Sequence, residues 1–282
     1  MEITKSGSIL QVRGISPFSL DEIFDCGQAF RYKKLEDGRY INVAFNKVIE
    51  LNYKDGVLYI EGADEKDFYD IWRNYFDLES DYAAIQKELL NDQVLRDVIP
   101  FGSGIRILRQ DMWETLITFI ISQQNNIPRI KGIIERLCGM LGGEIYFKGE
   151  KYRAFPTPEA ILQAGLGGLE GIRCGFRSAY ILDAASKVAS GDIDLNEIKD
   201  LSTDEARKKL LTIKGVGPKV CDCVLLFGAY KTDAFPVDVW MDRALQFYYG
   251  KGKKFDPSVF GKYSGIAQQY LFYYARENKI GK

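Results

Sequence analysis

Over roughly the first sixty residues, apolar and aromatic positions fall in short runs separated by turn residues. The segments near 28–34, 40–45, 47–53 and 57–61 are rich in Phe, Tyr, Val and Ile, and "LEDG" at 35–38 and "KDG" at 54–56 interrupt them. Strand-forming residues bounded by such turns predict antiparallel hairpins. From "DEKDFYDIWRNYF" onward the period changes to spacings of three and four. Helices are expected over 66–76, 79–91, 111–122, 127–141, 158–164, 177–190, 203–212, 218–228, 239–249 and 256–276. Short Gly/Pro connections such as "LGGE", "GLGGLEG" and "KGVGP" cut these helices apart. The pattern predicts an α+β chain, with an N-terminal antiparallel β-sheet lobe over residues 1–100 followed by an all-α region over 101–282. It contains no long repeat and no low-complexity linker.

One stretch of the helical region carries more than packing information. "LLTIKGVGPKVCDCVLLFGAY" fits helix, tight hairpin, helix. Gly215 and Gly217 supply backbone angles that other residues avoid, and Pro218 suits a first helical turn. The second helix would start at Lys219 with Val220, Val224 and Phe227 on its apolar face. Lys219, Asp222 and Cys223 would share another face. Bare N–H groups of Lys214, Gly215 and Gly217 at a helix N-terminus suit an anion, phosphate above all. The spacing is not that of a nucleotide P-loop, since no Ser or Thr follows the lysine. Nineteen residues on, Asp238 in "FPVDVWMDRALQFYY" precedes another helix, where it is expected to act as an N-cap. A cap also holds a carboxylate rigidly, as stabilising a developing positive charge requires. Taken singly, Lys219 reads equally well as a solvated helix start or as a nucleophile.

Composition narrows the chemistry. The 282 residues are 46% hydrophobic, enough for two or three packed lobes, and include no histidine. Ser-His and Cys-His nucleophiles, a histidine base and His-ligated zinc are therefore excluded. Catalysis must rest on lysine, carboxylates, tyrosine, cysteine or backbone groups. Five scattered cysteines read as free thiols in a reducing compartment. No apolar run reaches the ~20 residues of a membrane span, and the start lacks a signal-peptide core. A cytoplasmic, non-secreted protein is expected. Net charge is −1, so any DNA contact must use local positive charge, for which "KGKK" at 251–254, Lys131, Arg173 and Arg177 are candidates.

The hairpin, Lys219, Cys223 and Asp238, in this order, resemble the helix-hairpin-helix, Gly/Pro-rich, aspartate superfamily of base-excision DNA glycosylases. Within it, "IKGVGPKVCDCVLLFGAYKTDAFPVDVW" is similar to the catalytic segment of the 8-oxoguanine DNA glycosylase/lyase family. The likeness extends to "DCGQAFRY" (25–32), "LRQDMWETLITFIISQQNNIPRIKGIIERLC" (108–138), "GFRSAYI" (175–181) and "YSGIAQQYLFYYAR" (263–276). The resemblance implies a TATA-binding-protein-like sheet lobe and a helical glycosylase region with its catalytic segment at 210–243. It implies Lys219 as the amine that attacks C1′ and Asp238 as the counter-charge. Cys223 and Phe272 would sandwich the flipped base, Gln268 would read its Watson–Crick edge, and the Gly27 carbonyl would accept the N7–H that marks 8-oxoguanine. The plain alternatives are core roles for Cys223 and Phe272, a turn at Gly27 and a solvated Gln268.

The same resemblance implies that Gln124, Asn125 and Asn126 fill the gap left by the base, with Phe176 nearby, and that Arg129 and Arg177 hold the estranged cytosine. Eukaryotic relatives have asparagine, tyrosine and a phosphate-contacting histidine at the positions of Gln124, Phe176 and Trp240. A loop and arginines paired with surface carboxylates are the alternatives. A structural monovalent or divalent cation on the carbonyls of Leu211, Ile213 and Val216 is implied, no other cofactor is required, and an iron–sulfur cluster is excluded because no cysteine follows Cys223. The expected partner is double-stranded DNA with 8-oxoguanine opposite cytosine, met by a monomer of prokaryotic type. The competing readings are an alkyl-purine glycosylase of the same superfamily, which would not need Lys219, and a non-catalytic hairpin module that only grips phosphates.

Overall fold

A computed structural model describes residues 1–252 and 255–280. Lys253 and Lys254 of the "KGKK" run lie outside the described residues. Strands β1 (Glu2–Ser6) and β2 (Ile9–Arg13) open the chain, followed by helix α1 (Leu20–Asp25), then β3 (Tyr32–Lys34), β4 (Tyr40–Ala44), β5 (Lys47–Lys54) and β6 (Val57–Glu61). The six strands form one antiparallel sheet in the order β1-β2-β6-β5-β4-β3. The hairpins at the Asp-Gly turns form as expected. Patterning missed both β1, a polar edge strand with side chains mostly exposed, and β2, whose alternating burial spans only five residues.

Short helical turns follow, α2 (Glu65–Asp67) and α3 (Arg73–Tyr75), joined by a π-helical turn over Phe68–Trp72. They place Phe68, Trp72 and Phe76, all fully buried, against Leu10, Leu51, Leu58 and Ile60 of the sheet. The remaining helices are α4 (Tyr82–Leu89), α5 (Gln93–Val98), α6 (Met112–Ser122), α7 (Ile127–Leu141), α8 (Pro158–Glu170), α9 (Arg177–Ala189), α10 (Leu195–Asp200), α11 (Thr203–Leu210), α12 (Pro218–Phe227), α13 (Val239–Tyr249) and α14 (Ser264–Glu277). A 3-10 turn over Pro257–Tyr263 starts what patterning reads as one helix from 256. Between α7 and α8 the helical region holds a two-stranded hairpin, β7 (Glu144–Phe147) and β8 (Glu150–Arg153). The hairpin packs on the sheet at β5, where Lys148 bridges Glu50 at 2.9 Å and Glu61 at 2.6 Å. With both faces covered, β5 buries consecutive residues instead of alternating ones.

The side chains divide into two cores. Tyr82, Ile85, Leu89, Leu95 and Val98 pack with the helical region, so by packing the change of lobe falls near residue 80. Arg106 closes the junction. Its guanidinium, 2% exposed, donates to the carbonyls of Pro17, Asp77 and Ser80 at 3.0, 2.7 and 3.2 Å and lies over the Tyr82 ring. These carbonyls satisfy a buried cation whose desolvation would otherwise be costly. At the centre of the helical core α6 packs against α12, with the rings of Phe119 and Phe227 stacked at 5.4 Å.

Candidate active site

The hairpin lies between α11 and α12 as its sequence requires. Gly215 has φ +81, and a Cβ there would stand 2.2 Å from the Tyr180 ring. Both the angle and the contact select glycine. Gly215→Ala is expected to cost about 2–3 kcal/mol from strain and overpacking, measured by chemical denaturation. Gly217 is the N-cap of α12 and Pro218 fills the first helical position, one residue earlier than the pattern suggests. The Lys214 N–H is not free for an anion, because it donates to Asp183 Oδ2 at 2.8 Å. A phosphate here would meet Gly215, Gly217 and the exposed Lys214 side chain.

The start of α12 brings Lys219 to the edge of a pocket and leaves it half-buried. Its Nζ lies 3.2 Å from Ser122 Oγ at the end of α6 and 5.1 Å from the centroid of the Phe119 ring. Ser122 Oγ donates its own hydrogen to the Phe119 carbonyl at 2.8 Å, which leaves a lone pair for the lysine. Cys223, one turn on, lines the same pocket, whereas Asp222 is drawn away by Arg207 at 3.0 Å. Burial pushes the Cys223 thiol up to about 11 despite the neighbouring Lys219 charge. It is therefore a neutral, polarizable wall and not a second nucleophile. Asp238 caps α13, accepting the Met241 N–H at 2.7 Å, and also lines the pocket. The capping and chemical readings of Asp238 are compatible in one geometry.

The remaining walls come from the sheet lobe and from α14. Gly27 follows α1 with φ +81, and a Cβ there would lie 3.3 Å from Phe272 Cε1. The loop is fixed by Gln28, fully buried, whose amide donates to Ile23 O at 2.9 Å and Arg106 O at 2.8 Å and accepts from Leu108 N at 2.8 Å. Gln268 and Phe272, one turn apart on α14, complete the set. Gln268 is 4% exposed, so it is a pocket residue and not a solvated one. Gly27, Lys219, Cys223, Asp238, Gln268 and Phe272 thus line one pocket. Sequence reasoning missed Phe119, Phe227, Cys26 and Gln269 in this lining, and Gln28 and Ser122 behind it.

The loop after α6 lies outside this lining. Gln124 is exposed with φ +47, Asn125 Nδ2 donates to Ile121 O at 3.1 Å, and Asn126 caps α7 through the Arg129 N–H at 3.0 Å. Arg129 is exposed, and Phe176 is 53% exposed, its ring against Tyr180 and the Arg177 guanidinium. Arg177 is not: at 3% exposure it donates to the carbonyls of Gln123 at 3.0 Å, Gln124 at 3.2 Å and Cys174 at 3.1 Å, and pairs with no carboxylate. In the free protein it props up the exposed turn from below. All five cysteines are buried free thiols.

Comparison with known proteins agrees with this geometry. Residues 12–116 match the 8-oxoguanine DNA glycosylase N-terminal domain, and residues 117–260 match the HhH-GPD superfamily base excision DNA repair protein. A solved structure of MBOgg1 in complex with a low affinity DNA ligand is 46% identical, with a TM-score of 0.95 over 99% of each chain. The 8-oxoguanine glycosylase/lyase of Clostridium acetobutylicum, in complex with double-stranded DNA containing cytosine opposite 8-oxoguanine, is 40% identical with the same TM-score and coverage. The "Probable N-glycosylase/DNA lyase" of Methanothermobacter thermautotrophicus is 31% identical over 73% of this chain and 72% of its own length. With both halves of the chain matched in order, and with the pocket drawn from both, the chain belongs to the HhH-GPD superfamily of base excision DNA repair proteins, in its 8-oxoguanine glycosylase branch.

Proposed function

We propose that this protein excises 8-oxoguanine from duplex DNA through a lysine Schiff base and then nicks the strand by β-elimination. The observation that carries this reading is the single pocket in which Lys219 and Asp238 meet Gly27, Cys223, Gln268 and Phe272. The base leaves the helix, is held between the Cys223 thiol and the Phe272 ring, and is read by Gln268 and the Gly27 carbonyl. Lys219, as the free amine, attacks C1′ while Asp238 offsets the positive charge on the sugar as the glycosidic bond breaks. The Ser122 hydroxyl, its hydrogen held by Phe119 O, accepts one amine hydrogen and turns the nitrogen lone pair toward the sugar. Gln124, Asn125 and Asn126 occupy the gap, and Arg129 meets the estranged cytosine. Arg177 joins it on releasing the loop carbonyls. We further propose the carbonyls of Leu211, Ile213 and Val216 as holders of a structural cation that ties the hairpin to a phosphate. These are neutral oxygens, Ile213 O already accepts the Val216 N–H at 3.0 Å, and Lys187 Nζ sits on Thr212 O at 2.6 Å, which favours a monovalent ion.

The test is a duplex with one 8-oxoguanine opposite cytosine, followed for free base and strand nicks, beside duplexes carrying 3-methyladenine. Release from the first and not the second is expected. The reverse would install the alkyl-purine reading, and binding without release the non-catalytic one. Ser122→Ala is expected to slow borohydride trapping about tenfold, as loss of one hydrogen bond to the nucleophile, with thermal stability unchanged. Gly27→Ala should cut base release at least tenfold by pressing a methyl group on Phe272 at a strained φ, while cleavage at a preformed abasic site is retained.

A further inference from the structure

Among the described residues of the pocket lining, Gln269 has a buried polar atom without a hydrogen-bond partner. Gln269 lies next to Gln268 in the lining and is 3% exposed. Its Nε2 donates to Gln268 Oε1 at 2.8 Å, while its own Oε1 is buried without a hydrogen-bond partner. A buried acceptor left unpaired is unfavourable. Here the cost falls beside the amide expected to read the base.

The arrangement matters because an amide has a donor end and an acceptor end. The Watson–Crick edge of 8-oxoguanine offers one acceptor, O6, and two donors, N1–H and N2–H, and the donors call for an oxygen. With its Oε1 held by Gln269, Gln268 turns Nε2 to the pocket, an end that can meet O6 but neither of the two donors. If both amides turn over about their last side-chain bond, Gln268 Nε2 donates to the orphaned Gln269 Oε1, and Gln268 Oε1 faces the pocket. The turn gives Gln269 Oε1 a donor, moves Gln269 Nε2 into the place that oxygen leaves, and creates an acceptor for the two guanine donors. We infer that Gln269 is a specificity-determining positioning residue: paired with Gln268, it decides whether the pocket presents a donor or an acceptor, and 8-oxoguanine binding selects the acceptor state. This rests on the proposed excision of 8-oxoguanine.

The substrate that separates the two states is 8-oxoadenine. It carries the same N7–H, but its N1 is an acceptor. The experiment compares kcat/KM for base release from duplexes with 8-oxoguanine and with 8-oxoadenine opposite cytosine, in wild type, Gln269→Met and Gln269→Glu, with cleavage of a preformed abasic site as a readout that bypasses the base. Methionine fills the space but leaves Gln268 free to rotate, so the ratio should fall about tenfold. Glutamate gives the Gln268 N–H an oxygen in either protonation state, so the ratio should stay within about twofold of wild type. Abasic-site cleavage should fall far less than the ratio does in the methionine variant. A wild-type ratio in the methionine variant, an equal fall in the glutamate variant, or a parallel fall in abasic-site cleavage would overturn the assignment. Failure of the wild type to release 8-oxoguanine at all would instead remove the proposed function beneath it.

Discussion

Lys219→Gln is expected to abolish the borohydride-trapped adduct and lower strand nicking about 1,000-fold or more, the scale of losing a nucleophile. The substitution keeps the length of the stem that passes the Phe119 ring and keeps a polar end for Ser122 Oγ. Thermal stability should therefore change by no more than about 3 °C, since no core atom is lost. DNA binding should be retained, because the phosphate contacts proposed for the hairpin belong to other residues. Gel-resolved nicking and trapping on an 8-oxoguanine:cytosine duplex, with a melting curve of each protein, separate these expectations. Nicking by the variant at the wild-type rate would remove Lys219 from the chemistry and leave it as the solvated helix start that its sequence position equally permits.

Asp238→Asn isolates charge from architecture. Asparagine caps helices as well as aspartate does, so the bond from the Met241 N–H at 2.7 Å can persist, and stability should stay within about 0.5 kcal/mol. Base release should nevertheless fall about 100- to 1,000-fold, because the amide cannot offset a full positive charge on the sugar. Cleavage of a preformed abasic site should fall less, as no glycosidic bond has to break. Asp238→Ala should add a loss of about 1 kcal/mol from the missing cap. The two variants together divide the residue's roles. Equal base release by wild type and the asparagine variant would leave the carboxylate with capping alone.

The parts of the site legible in the sequence are those set by short-range geometry. Lys219 and Cys223 are one helical turn apart, as are Gln268 and Phe272, and a cap position announces Asp238. A helix alone brings each pair to one face. Relations across the fold were not legible. Nothing local says that Arg207 takes Asp222 out of the pocket, that Asp183 takes the Lys214 N–H, or that Arg177 is spent on carbonyls of a loop more than fifty residues earlier. Gln269 differs from its neighbour only in having no partner for its oxygen, a property of packing. The fold shows the same division. Hairpins with Asp-Gly turns and long apolar helices were predictable, whereas β1, a polar edge strand, and the β7–β8 hairpin form because a sheet surface is there to receive them.

The origin of the pocket walls has a consequence for how such a protein can change. Lys219 and Asp238, the proposed chemical pair, stand on two helix starts of the second core, while Gly27, held by Gln28, comes from the loop that follows α1 in the first lobe. The proposed chemical pair and the proposed reader of N7 thus lie on separate pieces of the chain, while the amides that would read the Watson–Crick edge travel with the chemical pair. A lineage could alter the 25–32 loop and acquire a different damaged base without disturbing the apparatus that cuts. The converse also holds, since drift in the helical apparatus would leave the N7 contact proposed for Gly27 in place.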